Sequence, residues 1–320
     1  MPVFEMPLAQ LQTYLGCSPL PDDFDWYWSD ALAELDSISM DYTLISAPFT
    51  APGVECFDLW FTGVRGARIH CKFLKPAQIQ GKIPGIAVFH GYMHHSGEWY
   101  ERLPLVYAGN AVIVMECRGQ GGTSEDVYSG IGPTVFGHVI RGVRDEDPHK
   151  LYYRDVYLDA AQTLRILMGM DFIDETRIAT LGKSQGGALA LATASLIPQV
   201  KLCAPIFPFL SDFRRILEMD LNQNAYEGFY WLFKKCDPTH RHMEEYLYRM
   251  GYIDIQNHTP RIRAKVLWQT GLMDNLCPPS TQFAAYNKLI SDKEMILYPD
   301  HTHELIYYAN DAIFAFFSQL

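Results

Sequence analysis

The chain has 320 residues, an apolar share of 48% and a formal net charge of −11 at pH 7. The length fits one large α/β domain with insertions, and the residue mix is that of a globular protein. The negative charge argues against nucleic acid or an anionic membrane as a partner, because like charges repel. The N-terminus lacks a basic start followed by an apolar run, and no stretch approaches ~20 continuous apolar residues, so neither a signal peptide nor a membrane span is predicted.

The seven cysteines have no regular spacing. Several, such as Cys71 and Cys117, fall in apolar runs, where a thiol behaves as a small hydrophobic group. Cys236, His240 and His242 lie close together but lack the C-x-x-C pairing of a zinc site. The pattern favours a reduced, cytoplasmic protein without a metal.

The first predicted element is a helix that begins at Asp22 or Asp23, either of which could cap it, and continues to Leu35. From Cys56 to Leu74, apolar residues alternate with polar ones in two runs, and glycines lie between the runs. This alternation predicts a hairpin of antiparallel strands.

Short apolar runs of a different kind follow, mostly separated by segments long enough for helices. They span residues 85–90, 111–115, 177–181, 200–204, 264–268 and 294–298. Continuous hydrophobicity is typical of strands buried on both faces of a sheet. The sequence therefore predicts an α/β fold with a mostly parallel central sheet and helices on both faces. A last helix is predicted from Leu305 to Phe317.

One connection is far longer than a normal loop, since roughly sixty residues separate the strands that end near Ala204 and begin near Ala264. Three segments of this connection have helical character: 213–219, 226–233 and 242–250. We interpret the connection as a helical cap over the carboxyl ends of the strands, at about residues 207–260. The chain, residues 1–320, is then a single domain with one cap insertion.

The motif Gly182-x-Ser184-x-Gly186 lies between a predicted strand and the helix-forming run 188–195. Strand, tight turn and helix form the context in which G-x-S-x-G is a nucleophile elbow. Side chains at positions 182 and 186 would collide with the neighbouring strand and helix, which explains the glycines. The alternative is a small-residue turn that only lets the helix pack closely on the strand.

A serine hydroxyl needs a histidine to accept its proton, and that histidine needs a carboxylate to fix its tautomer. Asp274 follows one predicted strand, in a loop with paired prolines, although it could instead be a turn or capping aspartate. His301 and His303 both follow the last predicted strand, and spacing favours neither. The order serine, acid, histidine is that of an α/β-hydrolase.

Negative charge that develops on a carbonyl oxygen needs two N–H donors. The residue after the nucleophile, Gln185, should provide one through its backbone. The loop His90-Gly-Tyr92 after an early strand should provide the other, and the backbone N–H of Tyr92 is the candidate. An ordinary strand-to-helix loop is the alternative.

Three motifs occur in order along the chain: Arg118-Gly119-Gln120-Gly121-Gly122, Gly182-Lys183-Ser184-Gln185-Gly186 and His303-Glu304. Together they resemble the signature motifs of carbohydrate esterase family 7, the acetyl xylan esterase and cephalosporin C deacetylase family. Segments 21–28 and 271–274 also resemble the family, so the similarity extends over the whole chain. The segment Met93-His94-His95-Ser96 is bulkier and richer in histidine than the family pattern.

The resemblance implies an α/β-hydrolase fold and a catalytic triad of Ser184, Asp274 and His303. It also implies oxyanion donors at Tyr92 and Gln185, and structural roles for Arg118 and Gln120.

The activity that the resemblance implies is hydrolysis of small acetyl esters, on sugars and on cephalosporin C, by a cytoplasmic homohexamer with no metal or other cofactor. Two alternatives stay open. One is a broad-specificity carboxylesterase or peptidase on the same fold, because a fold does not fix a substrate. The other is a catalytically inactive hydrolase fold that serves as a binding protein.

Overall fold

The computed structural model describes residues 5–128, 130–131, 137–221 and 224–320. The first four residues of the N-terminal segment, and residues 222 and 223 of the predicted cap, lie outside the described residues. Within these ranges, no helix combines the length and the apolar character needed to cross a bilayer.

The described residues form one nine-stranded sheet. Its strands are β1 (Tyr42–Ser46), β2 (Val54–Thr62), β3 (Arg68–Pro76), β4 (Ile83–Phe89), β5 (Ala111–Met115), β6 (Ile173–Lys183), β7 (Leu202–Ile206), β8 (Lys265–Gly271) and β9 (Lys293–Tyr298). Their spatial order is β1-β2-β3-β5-β4-β6-β7-β8-β9.

The sheet is mostly parallel, as predicted. The strands β5, β4, β6, β7, β8 and β9 pair in parallel, whereas β1, β2 and β3 are antiparallel and extend one edge. The predicted hairpin is confirmed as β2 and β3, with Leu59 opposite Cys71. All six predicted runs form strands, with β6 beginning four residues earlier at Ile173. The strand β1 was not predicted, because all its residues are exposed and no buried face marks it.

Helices cover both faces of this sheet. They are α1 (Leu8–Leu11), α2 (Phe24–Asp36), α3 (Leu103–Tyr107), α4 (Tyr152–Met168), α5 (Gln185–Leu196), α6 (Phe213–Glu218), α7 (Glu227–Trp231), α8 (Met243–Met250), α9 (Ile255–His258), α10 (Pro279–Asn287) and α11 (Ala309–Phe317). One hydrophobic cluster joins the sheet to α2, α4 and α5, and a second joins it to α3 and α11. Along β4, Ala87 and Phe89 enter the first cluster, and Ile86 and Val88 enter the second. Both faces are therefore buried, which explains the continuous hydrophobic runs.

The connection between β7 and β8 contains the three predicted helices, as α6, α7 and α8, and a fourth, α9. One predicted helix cap and one predicted helix start differ from the structure. Asp23 is the N-cap residue of α2 but makes no capping bond, and its carboxylate instead accepts from the Tyr252 hydroxyl at 2.5 Å. The last helix begins at Ala309 rather than Leu305, because Tyr308 has a left-handed backbone with a φ of 65°.

His258 is a fully buried polar residue, and its ring packs against Trp28 and Tyr157 of the first hydrophobic cluster. Its Nε2–H donates to the Tyr252 carbonyl oxygen at 3.2 Å, and its Nδ1 accepts from the Ser195 hydroxyl at 2.8 Å. Each ring nitrogen therefore has one partner suited to a neutral imidazole. Burial lowers the pKa of His258 to about 3, and nearby Arg261 acts in the same direction.

This histidine should weaken the fold in acid. An unfolded histidine titrates near pH ~6.5. Between that pH and about 3 the unfolded chain binds the additional proton, so the free energy of unfolding falls as pH falls. The variant His258→Gln should have a lower Tm than the wild type at neutral pH but a shallower decline of Tm in acid. The exposed-site variant His95→Gln is the control, and a wild-type slope in His258→Gln would contradict the assignment.

Candidate active site

Ser184 lies at a sharp turn between β6 and α5. Its φ of 56° is in the left-handed region, which strains a residue that has a Cβ. A Cβ on Gly182 would lie 2.1 Å from the backbone of Gly186, and a Cβ on Gly186 would lie 2.0 Å from the Phe89 carbonyl oxygen in β4. Both positions therefore require glycine, and the predicted sequence of strand, sharp turn and helix is confirmed.

The three predicted triad residues meet at the carboxyl ends of β6, β8 and β9. His303 Nδ1–H donates to Asp274 Oδ2 at 2.8 Å, and the Ser184 hydroxyl donates to His303 Nε2 at 3.1 Å. The carboxylate at Nδ1 fixes the tautomer in which Nε2 is free to accept a proton. The competing His301 lies 3.3 Å from Glu304 instead. His303, and not His301, therefore lies between Asp274 and Ser184, which spacing alone had left open.

Asp274 is completely buried. Its second oxygen, Oδ1, accepts the backbone N–H groups of Leu276 and Cys277 at 2.9 Å and 2.8 Å. The carboxylate is therefore held in one orientation while it faces the imidazole of His303. Asp274 does have the turn role considered above, through Oδ1, but its Oδ2 still accepts from His303.

The two predicted oxyanion donors belong to separate segments, one directly after Ser184 and the other after β4. Gln185 is the first residue of α5, so its backbone N–H has no partner within the helix. Tyr92 lies in the loop after β4, and in the described part of the chain its backbone N–H meets no acceptor. The Tyr92 hydroxyl accepts the His138 backbone N–H at 2.9 Å, which fixes the side chain.

Gln120 connects the two donor segments. Its Nε2 donates to Gln185 Oε1 at 2.8 Å, and Gln185 Nε2 donates back to Gln120 Oε1 at 3.0 Å. Gln120 Oε1 also accepts the Met93 backbone N–H at 2.9 Å. The side chain thus holds the residue after Tyr92 and the residue after Ser184 in one arrangement, consistent with the structural role that the resemblance implies.

Arg118 lies beneath this arrangement and is 1% exposed. Its guanidinium donates to both oxygens of Asp159 on α4, each at 2.7 Å, and to the Val64 carbonyl oxygen at 3.1 Å. Burial raises the pKa of Asp159 to about 6, and Arg118 opposes this increase. Arg118 therefore anchors the loop that carries Gln120 to α4.

Sequence reasoning missed one neighbour of the triad. Cys277 is buried, and its donor atom lies within 4.8 Å of those of Asp274 and His303. Among the described residues this is the one group of donor atoms close enough to share a metal ion. Burial, with Asp274 beside it, raises the pKa of the Cys277 thiol well above its usual range. Its position three residues after Asp274 was the only signal in the sequence.

A known protein family matches the whole chain. The family model described as acetyl xylan esterase (AXE1) matches residues 1–320. The chain belongs to the acetyl xylan esterase family. This confirms the resemblance drawn from the three sequence motifs.

Solved structures of acetyl xylan esterases have the same fold. Acetyl xylan esterase 1 from Thermoanaerobacterium sp. is 44% identical, with a TM-score of 0.96 over 98% of this chain and 99% of that one. An acetyl xylan esterase from Paenibacillus sp. R4 is 34% identical, with a TM-score of 0.94 over the same shares. The α/β-hydrolase fold is thereby confirmed.

A curated relative is longer than this chain. The acetyl esterase Axe7A of Xylanibacter ruminicola is 28% identical over 293 residues. That alignment covers 88% of this chain and 63% of Axe7A. The chain therefore spans less than two thirds of the length of this relative.

Proposed function

We propose that this acetyl xylan esterase family member is a serine esterase that removes acetyl groups from acetylated xylo-oligosaccharides and from related small acetyl esters such as cephalosporin C. The observation that carries the proposal is the hydrogen-bonded series Ser184, His303 and Asp274, with distances of 3.1 Å and 2.8 Å. Such a series is the arrangement that activates a serine nucleophile.

Acylation begins when the substrate's acetyl carbonyl carbon lies next to Ser184 Oγ. His303 Nε2 takes the hydroxyl proton as Oγ attacks, and a tetrahedral intermediate forms. Asp274 stabilises the resulting imidazolium without taking its proton. The ester C–O bond then breaks, and His303 returns the proton to the departing alcohol oxygen, which leaves acetyl-Ser184.

Deacylation repeats these steps with water. His303 Nε2 accepts a proton from a water molecule as the water oxygen attacks the carbonyl carbon of acetyl-Ser184. The second tetrahedral intermediate collapses to acetic acid, which ionises to acetate in solution, and His303 gives its proton to Ser184 Oγ. In both halves the backbone N–H groups of Tyr92 and Gln185 stabilise the negative oxygen, which is typically a large part of catalysis in acyl transfer.

Preference for acetyl over longer acyl groups requires a short acyl pocket. Two aromatic residues that follow β7, Phe207 and Phe213, are candidates for its wall. The Phe207 ring centroid lies 4.6 Å from that of His303, and its backbone has a positive φ of 33°. Phe213 packs instead against Tyr226 and Phe229 within the insert. These contacts favour Phe207 as the wall.

Shortening Phe207 should widen the pocket. We expect Phe207→Ala to raise kcat/KM for butyryl esters relative to acetyl esters, by about tenfold, since a hydrophobic pocket discriminates by roughly 10–200-fold per methylene. Phe213→Ala is the matched control, because it also removes a buried phenylalanine but does not touch His303. Unchanged chain-length selectivity in Phe207→Ala, measured with 4-nitrophenyl esters, would reject this wall.

We further propose that residues 1–320 form one domain in which residues 207–260 are a cap over the site. In support, the Phe209 ring near the start of this insert lies 5.9 Å from that of Tyr92 and 4.5 Å from that of Tyr226. The homohexamer and the cytoplasmic location rest on the family resemblance and the cysteine pattern.

The substrate proposal is tested by acetate release from acetylated xylo-oligosaccharides and from cephalosporin C, with Ser184→Ala as the control. Release by the wild type and not by the variant supports a serine deacetylase. No release from either substrate, combined with labelling of Ser184 by a fluorophosphonate, would point to the broader carboxylesterase or peptidase alternative. If neither substrate is hydrolysed and the fluorophosphonate does not label Ser184, the catalytically inactive binding protein is favoured.

A further inference from the structure

Outside the triad, His70 lies between two carboxylates, one of which contacts the loop that carries Tyr92. Glu116 directly follows β5, and its side chain is buried. His70 on β3 places Nδ1 2.9 Å from Glu116 Oε2 and Nε2 2.9 Å from Asp58 Oδ1. Burial opposes the charged form of His70, but Glu116 and Asp58 more than offset this effect and raise its pKa above the usual value. The arrangement therefore favours an ion pair in which His70 compensates the buried charge of Glu116.

The Glu116 carboxylate connects two loops of the active site. One is residues 91–97, called here the oxyanion loop, in which the Ser96 hydroxyl and backbone N–H donate to Glu116 Oε1 at 2.7 Å and 3.3 Å. The other is residues 118–124, in which the Thr123 backbone N–H and hydroxyl donate to Glu116 Oε2 at 2.7 Å and 3.1 Å. Four donors thus converge on one carboxylate. Hydrogen bonds to a charged carboxylate are stronger than those between neutral groups.

The same two loops meet again nearer to Tyr92. Gly121 N–H donates to the His94 carbonyl oxygen at 3.1 Å, in addition to the bond from Met93 to Gln120. Gly122 leaves space for the carboxylate, since a Cβ there would lie 2.2 Å from Glu116 Oε2. Glu116 and the residues after it consequently hold the oxyanion loop at Met93, His94 and Ser96, and the bonds to the Ser96 hydroxyl and backbone N–H come from Glu116.

We infer that Glu116, held by His70, is a positioning residue that aims the Tyr92 backbone N–H at the oxyanion. The inference rests on the proposed function, because it assigns Glu116 a part in ester hydrolysis. Glu116 does not reach the reacting atoms. Its contribution is made through Ser96 and the oxyanion loop, so its loss should weaken stabilisation of the tetrahedral intermediate more than binding of the substrate.

Two variants test this. Glu116→Gln keeps the size of the side chain but removes its charge and one acceptor oxygen. Ser96→Ala leaves the ion pair intact and removes only one hydroxyl link to the oxyanion loop, so it remains informative if Glu116→Gln folds poorly. The control is Glu34→Gln, which deprives another buried cation, Arg154, of a carboxylate at 2.7 Å without touching the oxyanion loop.

The measurements are made per active site, counted by fluorophosphonate titration of Ser184. They are kcat and KM for 4-nitrophenyl acetate, and the inhibition constant of a methyl trifluoromethyl ketone, which binds serine as a tetrahedral oxyanion. Removing a donor outright costs about 10²–10³ in kcat. For a displaced donor we expect kcat to fall roughly tenfold to hundredfold in Glu116→Gln and less in Ser96→Ala, with KM little changed. The inhibition constant should rise by a similar factor.

A merely structural role predicts something else. In that case Glu116→Gln would lower the Tm or the number of active sites, as is expected of Glu34→Gln, while kcat per site and the inhibition constant stay at wild-type values. That result would overturn the inference. These readouts need only a reactive Ser184, so failure to deacetylate sugars would reject the substrate proposal separately.

Discussion

Replacing Ser184 by Ala is expected to lower kcat by roughly a millionfold, the loss typical of removing the nucleophile of a serine hydrolase. Among the described residues, Ser184 Oγ is the hydroxyl that bonds to His303 Nε2, at 3.1 Å, and it is the atom proposed to receive the acetyl group. KM should change little, because the hydroxyl contributes to the reaction more than to binding of the ester. Acetate release measured over long times and at high enzyme concentration gives the residual rate.

The matched control is Ser195→Ala on the same helix, α5. Ser195 is also buried, but its hydroxyl donates to His258 rather than to His303. This variant should lose some stability and keep its kcat. If Ser184→Ala retained more than about a hundredth of the wild-type kcat, the nucleophile would be another residue, since residual catalysis after loss of a triad member is far smaller.

Asp274→Asn should have the second largest effect, a decrease in kcat of about 10⁴-fold. An asparagine amide that keeps the two backbone N–H bonds at its oxygen would turn its NH₂ group towards His303 Nδ1. Nδ1 would then have to accept a proton rather than donate one. The proton would sit on Nε2, which could no longer take the proton of Ser184.

The control for this variant is Asp237→Asn. Asp237 also accepts two backbone N–H groups, those of Arg241 and His242, at 2.9 Å and 2.8 Å, but no catalytic histidine. It should lose stability and keep kcat. If Asp274→Asn behaved in the same way, Asp274 would be only a turn residue, which was the alternative that the sequence left open.

Much of the fold could be predicted because burial leaves a clear mark on the sequence. Strands such as β5 and β8 are buried on both faces and appear as continuous apolar runs. The glycines at 182 and 186 marked the sharp turn, because their neighbours leave no space for a Cβ. The exposed strand β1 leaves no such mark, and only its pairing with β2 makes it a strand.

The site was less predictable where it depends on contacts between distant segments. Nothing local distinguishes His303 from His301, and the difference lies in a carboxylate 29 residues away in the chain. The contact between the rings of Phe207 and His303, and the positive φ of Phe207, can be seen only in the folded structure. Glu116 follows β5 and His70 lies on β3, and the two meet because β3 pairs with β5. Sequence patterns report periodicity and local turns, and such pairings lie beyond them.

The central claim is that acetyl transfer passes through Ser184, and it can be tested by trapping the intermediate. The enzyme is mixed with 4-nitrophenyl acetate, quenched in acid during turnover, digested and examined by peptide mass spectrometry. The account predicts one acetyl group on the peptide that contains Ser184, increased in amount when deacylation is slowed, and none in Ser184→Ala. Acetate release at an undiminished rate by Ser184→Ala, or acetylation confined to a different side chain, would contradict it.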